Sequence, residues 1–270
     1  MAQTKQFALI CQYDGTSYQG FQSQRNQNTI QDKIEFSLNK ITNEKIHIEY
    51  AGRTDSGVHA THQVITFKTN WSHDIIELEK AINAHLPEDI YLSDINVVPN
   101  TFHPRKSAIS RTYEYKILNS YHNNIFTRNL IYHYPNKLNI KKIKEGLKIL
   151  EGKHDYANFC KKESLPENSI RYIYSTSLEV NNEILLFKFN GSSFLRHQIR
   201  FMVGYLLEIG RDKYTLNDLK SLLDTKNRAK SMIKHNVSPR GLCLTLVEYD
   251  GFSFKKNVTE WIIKLKIGYT

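Results

Sequence analysis

The sequence predicts an α+β protein with a mainly antiparallel sheet flanked by helices. Strand and helix signals alternate along the 270 residues, and short hairpin-like turns join them. No Pro-, Ser- or Gly-rich linker and no internal repeat divides the chain. A hydrophobic content of 40% with 11% aromatics excludes a disordered chain, and the length is ample for a large core.

The elements follow in order. QFALICQYDG alternates and ends at Asp14-Gly15, a strand running into a turn. Thr29 with Asp32 forms a capping box ahead of Ile30, Ile34, Leu38 and Ile41 at helical spacing. KIHIEYAG and HQVITFKT read as strands on either side of GRTDSG, and Asp74 to Leu86 as a helix stopped by Pro87. SRTYEYKIL is a strand, and Asn139 opens a helix that closes at Gly152. SLEV and EILLFKFN form a hairpin around Asn181-Asn182. FLRHQIRFMVGYLLEIG is a helix with Leu195, Ile199, Met202, Val203 and Leu206 on one face, and GLCLTLVEYDG a late strand. A division near residue 105 is expected, giving segments 1–105 and 106–270.

Charge is unevenly spread. The whole chain has 37 Lys+Arg against 27 Asp+Glu, net +10. Residues 1–105 carry 9 basic and 12 acidic side chains (net −3), and residues 106–270 carry 28 and 15 (net +13). Either the second half meets a polyanion, or a lysine-rich surface merely keeps the chain soluble. No apolar run approaches the roughly 18 residues of a membrane helix, and no secretory signal is visible. Three distant cysteines without a CxxC argue against a disulfide framework or a cysteine metal site, so the cytoplasm is expected.

The densest polar cluster is Gly52-Arg53-Thr54-Asp55-Ser56-Gly57-Val58-His59-Ala60. Two readings stand: Asp55 is a nucleophile or general base in a glycine-hinged loop, or it caps its own backbone in a plain hairpin turn. Extended geometry would send Arg53 and Asp55 to the same side. His59 and His62 lack a third ligand and helical HExxH spacing, so no metal is expected. Arg111, Tyr113 and Tyr115 share one strand face, suited to base stacking or to cross-strand packing. Arg196 and Arg200, four apart on the late helix, seek a carboxylate or phosphate, or are a solvated pair.

The Asp55 cluster resembles the active-site motif of the tRNA pseudouridine synthase A family. Tyr13-Asp14-Gly15-Thr16-Ser17-Tyr18-Gln19-Gly20-Phe21-Gln22, Thr29-Ile30-Gln31, Phe102-His103-Pro104-Arg105 with Arg111-Thr112-Tyr113-Glu114-Tyr115, Phe194-Leu195-Arg196-His197-Gln198-Ile199-Arg200 with Val203-Gly204, and Gly241-Leu242-Cys243-Leu244 resemble the family's other motifs in order. The resemblance implies two ferredoxin-like (RRM-like) halves sharing the sheet, and isomerisation of uridine to pseudouridine in the anticodon stem-loop of tRNA. It implies Asp55 as the catalytic aspartate, Tyr113 stacking on the uracil, Arg200 paired with Asp55, and Arg53 holding the flipped nucleotide. His59 and Leu244 are carried as substrate-binding positions. It also implies a homodimer, tRNA as partner, and no metal or organic cofactor. Val237-Ser238-Pro239-Arg240-Gly241-Leu242 departs from the family by placing its proline one residue late. The rival readings are a non-catalytic RNA-binding protein on the same scaffold and a metal hydrolase using His59 and His62.

Overall fold

The structure is a computed structural model, and it describes residues 4–25, 28–224 and 235–254. Parts of the basic second segment, residues 225–234 and 255–270, lie outside the described residues. In chain order the elements are β1 (Lys5–Tyr13), α1 (Ile30–Thr42), β2 (Glu49–Tyr50), β3 (His59–Thr69), α2 (Ile75–Asn83) and β4 (Ile90–Val98), followed by β5 (Ala108–Leu118), β6 (Tyr132–His133), α3 (Ile140–Ile149), β7 (Gly152–Asp155), β8 (Ile170–Asn181), β9 (Ile184–Gly191), α4 (Gln198–Gly210), α5 (Leu216–Leu223) and β10 (Leu242–Tyr249). The strands form one sheet in the order β4-β1-β3-β10-β5-β9-β8-β7, with β2 on β3 and β6 on β5. Pairing is antiparallel except for β10 with β3 and β5 with β6, so the predicted α+β, mainly antiparallel architecture is what forms.

Local chemistry explains most boundaries. Thr29 and Thr215 cap α1 and α5 by accepting from the third helical N–H, and Asp74 and Asn139 cap α2 and α3. The turn between β8 and β9 uses Asn182 at φ 53°, as asparagine tolerates left-handed backbone. Gly152 does not close α3; it opens β7 at φ 101°, and the helix stops at Ile149. Among the described residues, no helix is long and apolar enough to cross a membrane.

The largest correction concerns α4. Instead of starting at Phe194 it begins at Gln198, because His197 takes φ 63° and cannot continue a right-handed helix. Arg196 therefore sits on the approach to the helix, not on its face. Nor does α4 show one apolar stripe: every residue from Gln198 to Gly210 is buried except Arg200. A helix enclosed on nearly every side lies inside the protein, with Gln198 and Glu208 buried among its apolar residues, and α3 packs along it.

Gly204 permits the next close approach. A Cβ there would lie 2.1 Å from the backbone oxygen of His235. The chain at 235–238 thereby lies against α4, where the Val237 carbonyl accepts from Arg200 Nε at 2.8 Å and the Ser238 carbonyl from the Tyr115 hydroxyl at 2.6 Å. Gly204→Ala is expected to destabilise the protein by about 1–3 kcal/mol through overpacking, lowering the thermal midpoint by several degrees. A wild-type midpoint would show that the 235–238 chain steps aside freely.

Candidate active site

The chain from residue 51 to 58 is anchored at both ends. Ala51 N–H donates to the Val64 carbonyl, and the Gln63 amide bonds both the Gly52 N–H (3.2 Å) and its carbonyl (2.6 Å). The N-terminal segment then wraps the loop. Phe21 N–H donates to the Thr54 carbonyl, Ser56 Oγ to the Tyr18 carbonyl, and the Tyr13 and Thr54 hydroxyls lie 2.7 Å apart. A Cβ on Gly15 would lie 2.0 Å from the Val58 oxygen, so only glycine fits there. The Tyr13–Phe21 stretch and the Asp55 cluster are thus two walls of one structure.

Within that cradle Asp55 and Val58 close a turn through the Asp55 backbone carbonyl. The Asp55 side chain does not cap its own backbone. It is 18% exposed and meets three groups from the start of α4: Arg200 Nη1 at 3.5 Å from Oδ2, His197 Nε2 at 3.3 Å and Arg196 Nε at 3.8 Å from Oδ1. Arg196, at 65% side-chain exposure, is largely in water, while the His197 ring is buried and Arg200 is mostly enclosed at 11%. Burial pulls the Arg200 pKa down, and the neighbouring carboxylate pushes it back up. Arg53 is exposed and makes no hydrogen bond or ion pair with the described residues.

Tyr113 stands on β5 beside this loop, its hydroxyl 3.6 Å from where a Gly52 Cβ would be. Its ring packs edge-on against Phe194 at 5.4 Å. Desolvation pushes its phenol up to about 12, with Arg111 opposing and Asp55 reinforcing the shift. Arg111 is buried and donates to the carbonyls of Ala51, Arg105, Ala108 and Ser192, tying β5 to the loop. Burial is the first cause of its lowered pKa.

His59 and Leu244 occupy positions behind the site. Leu244 is fully buried on β10, in register with Tyr113 on one side and Ala60 on the other. His59, 1% exposed, directs Nε2 at the carbonyls of Asn129 (3.0 Å) and Arg240 (3.1 Å). Its Nδ1 lies 3.1 Å from both the Gly15 N–H and Asp14 Oδ1; bare, it accepts from Gly15, and protonated, it donates to Asp14. His62 lies instead edge-on to Phe254. Among the described residues no group of three His, Cys, Asp or Glu is placed to hold a metal.

Residues 9–105 and 147–250 match the family described as tRNA pseudouridine synthase. The chain belongs to the tRNA pseudouridine synthase family. Its relatives include the tRNA pseudouridine synthase A of Pseudothermotoga lettingae, 39% identical over 91% of this chain and 100% of that one. The enzymes so named from a Geobacillus species (34%, covering 92% and 99%) and Clostridium acetobutylicum (37%, covering 91% and 100%) are similar over the same extent. The family match takes in Asp55 and Arg200 and leaves out residues 106–146, where Tyr113 stands.

Sequence periodicity missed His197, because it counted the residue as helix interior; only its backbone angle brings the ring to Asp55. It also missed the Val237 and Ser238 carbonyls, which carry no side-chain signal.

Asp14 supplies a pH test of the cradle. Its carboxyl is held at about 2, first by His59 and then by the Thr16 hydroxyl and N–H, against an ordinary 3.8. A depressed carboxylate stabilises above its ordinary range and loses that contribution as pH falls from about 4 to about 2. Asp14→Asn should therefore cost about 1 kcal/mol at pH 6, discounted because the side chain is 42% exposed. Urea midpoints of variant and wild type should converge as the pH approaches 2; a constant gap would refute the assignment.

Proposed function

We propose that this protein isomerises uridine to pseudouridine in the anticodon stem-loop of tRNA, with Asp55 as the reacting carboxylate. What carries the reading is the meeting of Asp55, Arg200 and Tyr113 from three separate parts of the chain. The reaction breaks the N1–C1′ bond, turns the uracil and joins C5 to C1′; the C5 proton leaves and N1 gains one. It is redox-neutral and requires no metal or organic cofactor. Asp55 must be ionised, as a nucleophile at the uracil or the sugar or as a base at the sugar, and Arg200 offsets the cost of keeping a charge in a nearly enclosed site.

The other residues take roles consistent with their places. The target base must leave its stack, at a cost of a few kcal/mol that contacts in the pocket offset. Tyr113 stacks on the uracil, and the exposed Arg53 guanidinium holds the flipped nucleotide in place. His59 and Leu244 take part in substrate binding from the buried layer beneath the loop and the Tyr113 strand. The acidic segment 1–105 then presents the carboxylate and the basic segment 106–270 grips the RNA. We also propose a cytoplasmic homodimer. Tyr121, Ile125 and Phe126, 62% or more exposed on the loop whose Asn129 carbonyl meets His59, are apolar groups suited to an interface.

Undermodified tRNA tritiated at uridine C5 tests the reading. Wild type is expected to release tritium and Asp55→Asn to release none; equal release ends the Asp55 assignment. A non-catalytic RNA-binding protein would release none in either form. Tyr113→Phe should leave KM within about 3-fold, since the ring that stacks remains, whereas Tyr113→Ala should raise it by about 10-fold or more. Affinity for tRNA should fall at least about 10-fold between about 50 and 200 mM salt, and salt-independent binding would refute phosphate contacts by the basic segment.

A further inference from the structure

His197 precedes α4 with φ 63° and ψ 2°, a left-handed conformation that glycine or asparagine usually occupies. That backbone places a ring only 8% exposed with Nε2 3.3 Å from Asp55 Oδ1. Its Nδ1 is buried and has no hydrogen-bond partner among the described residues. Strained backbone and an orphan buried nitrogen are both costs to folding, and such costs concentrate where a site requires them. The two carboxylate oxygens are meanwhile divided, Oδ2 facing Arg200 and Oδ1 facing His197.

We propose that His197 is a positioning residue for Asp55, donating from Nε2 to Oδ1 and fixing the rotation of the carboxylate. The proposal rests on Asp55 being the reacting group. The tautomer follows from the contacts. With the hydrogen on Nε2, the ring donates to Asp55 and leaves Nδ1 a bare lone pair. The other tautomer would turn a lone pair on the carboxylate and bury an unpaired N–H.

This division of labour separates charge from orientation. Arg200 supplies a cation 3.5 Å from Oδ2. His197 adds a directed hydrogen bond to the other oxygen, Oδ1. The third neighbour, Arg196, is mostly in water and screened. With both oxygens held, the carboxylate meets the substrate in one orientation, and its rotational freedom is spent on folding instead of in each turnover.

Two replacements separate the donor from the backbone. His197→Asn suits the left-handed backbone but is too short to reach Oδ1; His197→Gln carries an amide N–H at about the reach of Nε2. In tritium release from C5-labelled tRNA, His197→Asn is expected to lose about 10- to 100-fold in kcat, the effect of one hydrogen bond to a charged group. KM and the thermal midpoint should stay near wild type, and His197→Gln should recover kcat to within about 5-fold. Wild-type kcat in His197→Asn, equal losses in both variants, or a loss residing in KM overturns the proposal. Asp55→Asn in the same assay keeps two failures apart. Activity in that variant would sink the Asp55 reading itself, whereas an inactive Asp55→Asn beside a fully active His197→Asn sinks only the positioning role.

Discussion

The Arg200 guanidinium is the tie on which the site depends. Its Nη1 faces Asp55 Oδ2 at 3.5 Å and its Nε donates to the Val237 carbonyl, so one rigid group joins α4, the Asp55 loop and the chain entering β10. It is the one residue of α4 that is not buried, and the helix delivers it to the Asp55 carboxylate. Two unit charges 4 Å apart attract by about 1 kcal/mol in bulk water and by about 4 kcal/mol at an effective dielectric of about 20. The enclosure that makes the pair strong also makes either partner costly to leave alone.

The topology explains why these groups meet at all. In the parallel pairing of β3 with β10, Cys243 lies opposite His59 and Leu244 opposite Ala60. Parallel strands start at the same end, so the segments just before them must be neighbours. Those segments are the Asp55 turn and Val237–Gly241. Their contact is tight: a Cβ on Gly57 would lie 3.0 Å from Pro239 Cγ. Pro239 opens the short 3-10 turn Pro239–Gly241, a first-turn position where its missing N–H has no partner to forgo.

What could be read from the sequence follows from how local each cause is. Caps at Thr29, Asp74 and Asn139, and the turn at Asn182, are written within three or four residues, and the structure honours them. The edge strand β4, the two-residue β6, and the start of β8 at Ile170 are set by partners far along the chain, and alternation alone did not reveal them. The pairing of β3 with β10 links residues some 180 apart and leaves no local mark. In the site, the Asp55 cluster was visible as a motif, while its choice between a plain turn and a held carboxylate was decided by α4. Periodicity ran that helix through His197 and so put Arg196 and Arg200 on one face; a single left-handed residue separates them.

The Tyr113 phenol limits what the proposed reaction can ask of it. The enclosure around its ring removes the water that would stabilise a phenolate, and Asp55 nearby adds to the penalty. With its pKa pushed up to about 12, the hydroxyl is a donor at neutral pH and cannot accept the C5 proton unless the substrate changes its surroundings. Stacking and general-base catalysis therefore compete for the same residue, and burial favours stacking. Proton removal at C5 then falls to a group with a lower pKa or to water.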